Sequence, residues 1–173
     1  SERSLLFLAV TAEESGLLGS QYFAEYPPIK LSNIVAGYNF DASLPVGKTR
    51  DVIVVGYGAS ELEDILKAEL DKVGRYIVPD PQPEKGFFYR SDHISFSKKG
   101  VPMLYADSGF DKIDGGKEAG RAFGDEYTAK YYHQPSDEYD PDWDLSGFAD
   151  QLTLTTKMVK YLADSDRWPE WYE

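Results

Sequence analysis

The chain has 173 residues and is acidic, with 30 Asp and Glu against 18 Lys and Arg and a formal net charge of −12. Charge of that sign disfavours a nucleic-acid backbone and an anionic membrane surface, so neither is expected as a partner. There is no cysteine, hence no disulfide framework and no thiolate metal site, and no apolar run reaches transmembrane length.

The length suits one domain, taken as residues 1–173, with a proper core. Leu5 to Val10 is a continuous apolar run, the pattern of a central strand covered on both faces. It runs into Glu13 and Glu14. A helix from about Ser15 to Glu25 follows, ended by Pro27-Pro28. Asn33 to Phe40 reads as a second strand that ends on Asp41, and Ala42 to Arg50 as a loop. Val52 to Tyr57 is a third strand. Ser60-Glu-Leu-Glu63 is a capping box that opens a helix with Leu62, Ile65, Leu66, Leu70 and Val73 on one face, and Gly74 suits its end.

Tyr76 to Val78 is a short strand. Phe87 to His93 leads into a short helix ending near Lys99-Gly100, and Val101 to Ala106 is another strand. Asp107 to Tyr131 is Gly-rich and charged and reads as a long functional loop. A last helix is capped by Asp144 or Ser146, with Leu145, Phe148, Ala149, Leu152, Thr156, Val159 and Leu162 as its apolar stripe. Strands alternating with helices indicate an α/β fold with a parallel or mixed sheet.

Two motifs are decoys. Gly56-Tyr-Gly58 follows a strand and opens a helix, but Glu61 stands where a dinucleotide fingerprint needs its third glycine. Asp140-Pro-Asp-Trp-Asp144 lacks the glycine and the bidentate glutamate of a calcium loop. What remains are acids at strand ends, Glu13-Glu14 and Asp41, together with Asp92-His93 and His133, the chain's two histidines. Carboxylates with imidazole suit a divalent metal such as zinc, a carboxylate can orient an imidazole, and a second Glu can act as base on a metal-bound water. The residues alone thus reach as far as a hydrolytic metal site.

Four stretches in order carry a resemblance: Leu6-Phe-Leu-Ala-Val-Thr-Ala-Glu13-Glu14-Ser-Gly16, Asn39-Phe-Asp41, Arg90-Ser-Asp-His93-Ile-Ser-Phe96 and Tyr132-His133-Gln-Pro-Ser-Asp137. Together they resemble metallopeptidase family twenty-eight, which includes secreted bacterial aminopeptidases, glutamate carboxypeptidases and the related glutaminyl cyclases. The resemblance implies a three-layer α/β/α sandwich with a mixed, mostly parallel central sheet and two zinc ions at strand ends. It implies a zinc-dependent exopeptidase, an aminopeptidase, acting on a peptide through a metal-activated water, in a secreted or periplasmic protein.

By the same resemblance Glu13 is the general base and Tyr132 bonds the oxyanion. Glu14 and His133 ligate one zinc, Asp41 ligates the other, and Asn39, Asp92 and His93 support or wall the pocket. The family pattern also has a His-x-Asp motif and a bridging Asp ahead of the Glu-Glu strand, and neither stands before Leu5 here. The expectation is therefore the carboxyl-terminal part of a catalytic domain, truncated at its amino end. It would hold zinc weakly, show little activity of its own, and self-associate through an uncovered face. A glutaminyl cyclase-like acyltransferase and a non-catalytic binding domain are the alternatives on the same scaffold.

Overall fold

Alternation along the central strands decides which residues face which layer. The computed structural model describes residues 1–41 and 43–173; Ala42, first residue of the loop expected after Asp41, lies outside them. Among the described residues the sheet has four strands. The first, β1 (Gly37–Asn39), runs parallel to β4 (Met103–Ser108). β4 runs antiparallel to β2 (Asp51–Val55), and β2 parallel to β3 (Tyr76–Pro79). On β2, Val52 and Val54 point to one face. On β4, Leu104 and Ala106 join them.

That face is covered by α2 (Leu62–Asp71) and α5 (Ser146–Ala163), through Leu62, Ile65, Leu66, Leu70, Leu154 and Met158. Burying each such side chain contributes about 1.5–3 kcal/mol. The opposite face carries α3 (His93–Ser97), with α1 (Leu18–Glu25) packed on it. Phe23 lies against Phe96, and Ser20 and Ser95 share a hydrogen bond of 2.9 Å. The architecture is thus α/β in three layers, around a mixed and mostly parallel open sheet.

The start of α2 shows why the dinucleotide reading fails. Glu63 is buried, and its carboxylate accepts the N–H groups of Gly58 (2.8 and 2.9 Å) and Ala59 (2.8 Å). A carboxylate already fills the place where a phosphate would sit. The capping box takes a different form from the expected one, since Glu63 reaches back past Ser60. Val73 is exposed, and Gly74, at φ 69°, turns the chain toward β3.

Three expectations are corrected. Leu5–Val10 forms no strand: it makes no ladder and leaves Phe7 91% exposed. Its ends are tied instead. Glu2 and Arg3 donate their N–H groups to the Ala163 carbonyl, and the Arg3 guanidinium bonds the carbonyls of Leu162 and Arg167. At the far end Gly19 donates to Thr11, in an approach so close that a Cβ at Gly19 would fall 2.5 Å from the Thr11 oxygen. An apolar run has strand propensity, but a strand needs a neighbouring edge.

The stretch expected as a loop after Asp107 contains a helix, α4 (Gly116–Lys130). Its glycines hid it and also explain it: a Cβ on Gly120 would lie 2.0 Å from the Phe110 carbonyl oxygen, and one on Gly124 2.8 Å from the Phe110 ring. The small face lets α4 lie directly on Phe110. On α5 the buried face is Gly147, Gln151, Leu154, Thr155 and Met158, whereas Leu152 is 55% exposed. Gln151 earns its buried place by bonding the Tyr38 hydroxyl and the Ala106 carbonyl, a pairing that apolar periodicity cannot register.

His93 is fully buried between the rings of Phe88 (4.9 Å) and Tyr105 (5.2 Å). Burial pushes its pKa down to about 4, against the pull of the Asp41 charge. The unfolded chain takes up that proton near the ordinary value while the folded chain refuses it. Stability is therefore whole above that value and lost as pH falls toward 4. The expected loss from this residue is about 2 kcal/mol between pH 7 and pH 5. Urea unfolding at both pH values, in the wild type and in His93→Phe, measures it; an equal pH dependence in the two proteins would refute it.

Candidate active site

Side chains of odd-numbered residues on β1 and β4 face the α3 layer, so the carboxyl ends of these parallel strands present polar groups to one pole. Asn39 ends β1, buried, and donates to the Ser91 hydroxyl at 2.7 Å. Ser91 and Asp92 immediately precede α3, and the Oδ1 of Asp92 is buried without a hydrogen-bond partner. Both ring nitrogens of His93 are likewise unbonded. His93 is enclosed, so it walls the pole and cannot reach a ligand in it.

Glu13 and Glu14 reach this pole from the strap that precedes α1. The turn is tight. Ala12 has φ 58°, Gly16 and Leu17 both donate to the Glu13 carbonyl, and Leu18 donates to that of Ala12. Left-handed backbone costs a non-glycine residue about 1 kcal/mol. His133 pays the same cost, at φ 58°. Strain of this kind at one candidate site residue, and next to another in the case of Ala12 and Glu13, fits functional positioning. His133 follows α4, and its Nε2 lies 3.0 Å from Glu14 Oε1. The Tyr132 ring stacks on the His133 ring at 4.0 Å.

The field at this pole is one-sided. Burial, then the charges of Asp41, Glu14 and Asp92, raise the pKa of Glu13, while His133 pulls the other way. Burial raises Tyr132 as well, with Arg90 lowering it and Glu14, Asp41 and Glu13 raising it further. Asp41 is exposed, and its charge is felt by Glu13, His93, Tyr105, Asp107 and Tyr132.

Three further groups belong here that the sequence reading left out. Asp107, near the carboxyl end of β4, is pushed up to about 6 by burial. The Ser43 hydroxyl and the Ser108 N–H (2.7 Å) oppose that rise, and Asp41 adds to it. Tyr105 is raised by burial and by Asp41. Arg90 is a cation that acts on Tyr132. Asp107 carried the same signal as Asp41, an acid where a strand ends, but was read as the start of a loop.

The donors fit zinc in kind. Two ligands at tetrahedral zinc stand about 3.3 Å apart, close to the Glu14–His133 separation of 3.0 Å, which also suits a direct ion pair. The donors fall short in number. Among the described residues no group of three or more His, Cys, Asp or Glu side chains converges as a metal would require, and catalytic zinc takes three protein ligands.

No curated protein matches the chain. The family described as Peptidase family M28 matches residues 1–156. Since that match takes in every element from the Glu13-Glu14 strap to most of α5, the chain belongs to peptidase family M28.

Proposed function

We propose that this chain carries the proton-accepting part of a zinc-dependent aminopeptidase site. Membership in peptidase family M28 makes it a metal-dependent peptidase in general terms; the choice of zinc and of the substrate's amino end is the finer step. The observation that carries it is Glu13 with its raised pKa, next in sequence to a Glu14 in contact with His133. A carboxyl raised toward neutrality makes a better proton acceptor for an attacking water than an ordinary carboxylate does. Tyr132, stacked on His133 and kept protonated, is a hydroxyl donor beside that base.

The sign of the pole favours an amine. Glu13, Glu14, Asp41, Asp92 and Asp107 bring negative charge to this pole, where a substrate's free ammonium group would be welcome, and among the described residues Arg90 brings positive charge to Tyr132. Asn39 and His93 hold the walls, through Ser91 and through the Phe88 and Tyr105 rings. The donor count supports a second proposal: the 173-residue chain alone holds zinc loosely and turns over poorly.

Carbon-detected NMR of the Glu13 carboxyl should titrate above the ordinary Glu range. In Glu14→Gln its midpoint should fall, because one repelling charge is gone. An unshifted midpoint in the variant would remove Glu14 from its surroundings.

Zinc added to the chain should bind with an affinity that drops about tenfold or more in Glu14→Ala or His133→Ala. With an aminoacyl anilide, turnover should stay far below about 1 s⁻¹, the low end of ordinary enzymes. Residual cleavage should require a free amino end and fall about a hundredfold in Glu13→Gln. Ordinary turnover by the chain with zinc would overturn the donor-count argument. Equal cleavage of N-acetylated peptides would replace the aminopeptidase reading.

A further inference from the structure

A cavity opens beyond the carboxyl termini of β2 and β3. Its volume is about 510 Å³, within the range of about 300–1,000 Å³ typical of small-ligand sites. Tyr57, Phe88 and Tyr89 line it with aromatic rings, Pro79 and Pro83 with rigid apolar surface. Tyr57 and Tyr89 are 55% and 69% exposed, so their rings are available to a ligand. Phe88 also packs against the ring of His93.

Charge selects the ligand. Asp80 is the one ionisable acid or base in the lining apart from the tyrosine hydroxyls. Its Oδ1 accepts the Gln82 N–H at 2.8 Å, which fixes the carboxylate at the rim. The amides of Gly58 and Ala59, which would otherwise offer a seat for an anion, already bond the carboxylate of Glu63. The walls therefore present negative charge and the electron-rich faces of rings, with no free donor cluster for phosphate or carboxylate. We propose that this cleft binds the cationic side chain of a basic peptide residue, lysine or arginine. The stem would lie along Pro79, Pro83 and Phe88, and the head would meet Asp80 and the Tyr57 and Tyr89 rings. Cation–ring contact and an ion pair at a partly exposed site act together here, and the overall charge of −12 draws such a ligand in.

The test is an amide NMR titration of the chain with N-acetyl-lysine amide, N-acetyl-arginine amide and the uncharged N-acetyl-norleucine amide. The two cations should shift the amides of Gly56, Gly58, Ala59 and Asp80 saturably, and norleucine should bind more weakly. Asp80→Asn keeps an acceptor for the Gln82 N–H; it should weaken cation binding about two- to fivefold and reduce its salt dependence. Tyr57→Ala, at an exposed position, should weaken it too while the rest of the spectrum stays folded. Absence of saturable shifts at these amides, norleucine binding equal to lysine, or unchanged cation affinity in Asp80→Asn would each overturn the assignment. None of these readouts depends on peptidase activity.

Discussion

Repulsion among like charges governs the functional pole of this protein. Glu13, Glu14, Asp41, Asp92 and Asp107 share one end of the sheet, with His133 and Arg90 as the opposing groups at hand. Left in water such acids would spread apart. Here the fold prevents that: Asn39 is held by Ser91, Asp107 by Ser108, and Glu14 sits against His133. The cost appears where desolvation and repulsion coincide, as raised pKa values on Glu13 and Asp107. Perturbed acids gathered at strand ends are the physical signature of a site that handles protons or cations.

The carboxyl ends of β2 and β3 solve the same problem differently. Glu63 is buried, yet three short bonds from Gly58 and Ala59 keep its charge satisfied. One pole therefore leaves carboxylates under-compensated, and the other neutralises its buried carboxylate locally and leaves a single acid, Asp80, at an aromatic cleft. The contrast follows from backbone supply. A glycine turn before α2 aims free amides at Glu63, whereas the left-handed turn at Ala12 spends its amides on the carbonyls of Thr11, Ala12 and Glu13.

Much of the architecture was legible because it rests on local pattern. Val52 and Val54 alternate, Leu62, Leu66 and Leu70 recur at helical spacing, and acids mark strand ends. The residues that misled depend mostly on a partner that their local pattern does not reveal. Gly120 and Gly124 look like loop residues until Phe110 is placed beside them. Gln151 looks like a solvent residue until Tyr38 and Ala106 claim its amide. Asp107 looks like the first residue of a loop, although β4 continues to Ser108. At the site, the Glu14–His133 contact spans most of the chain; no spacing encodes it, and only the ordered set of motifs pointed to it.

The strap from Leu5 to Val10 then bears on function through mechanics. It leads directly into Glu13, and among the described residues the backbone hydrogen bonds that tie it lie at its ends, to Ala163 on one side and in the Thr11–Gly19 turn on the other. The position of Glu13 consequently rests on a strained Ala12, on the turn whose Gly16 and Leu17 N–H groups hold its carbonyl, and on the exposed Glu14–His133 contact. An exposed ion pair is worth about 0–1 kcal/mol, no more than the strain it would have to offset. A paired strand would instead fix every second residue through ladder hydrogen bonds and set Glu13 rigidly at the sheet's end. Catalytic groups need placement to within about 0.5 Å. The base is therefore held by the turn that follows the strap and not by a ladder along it.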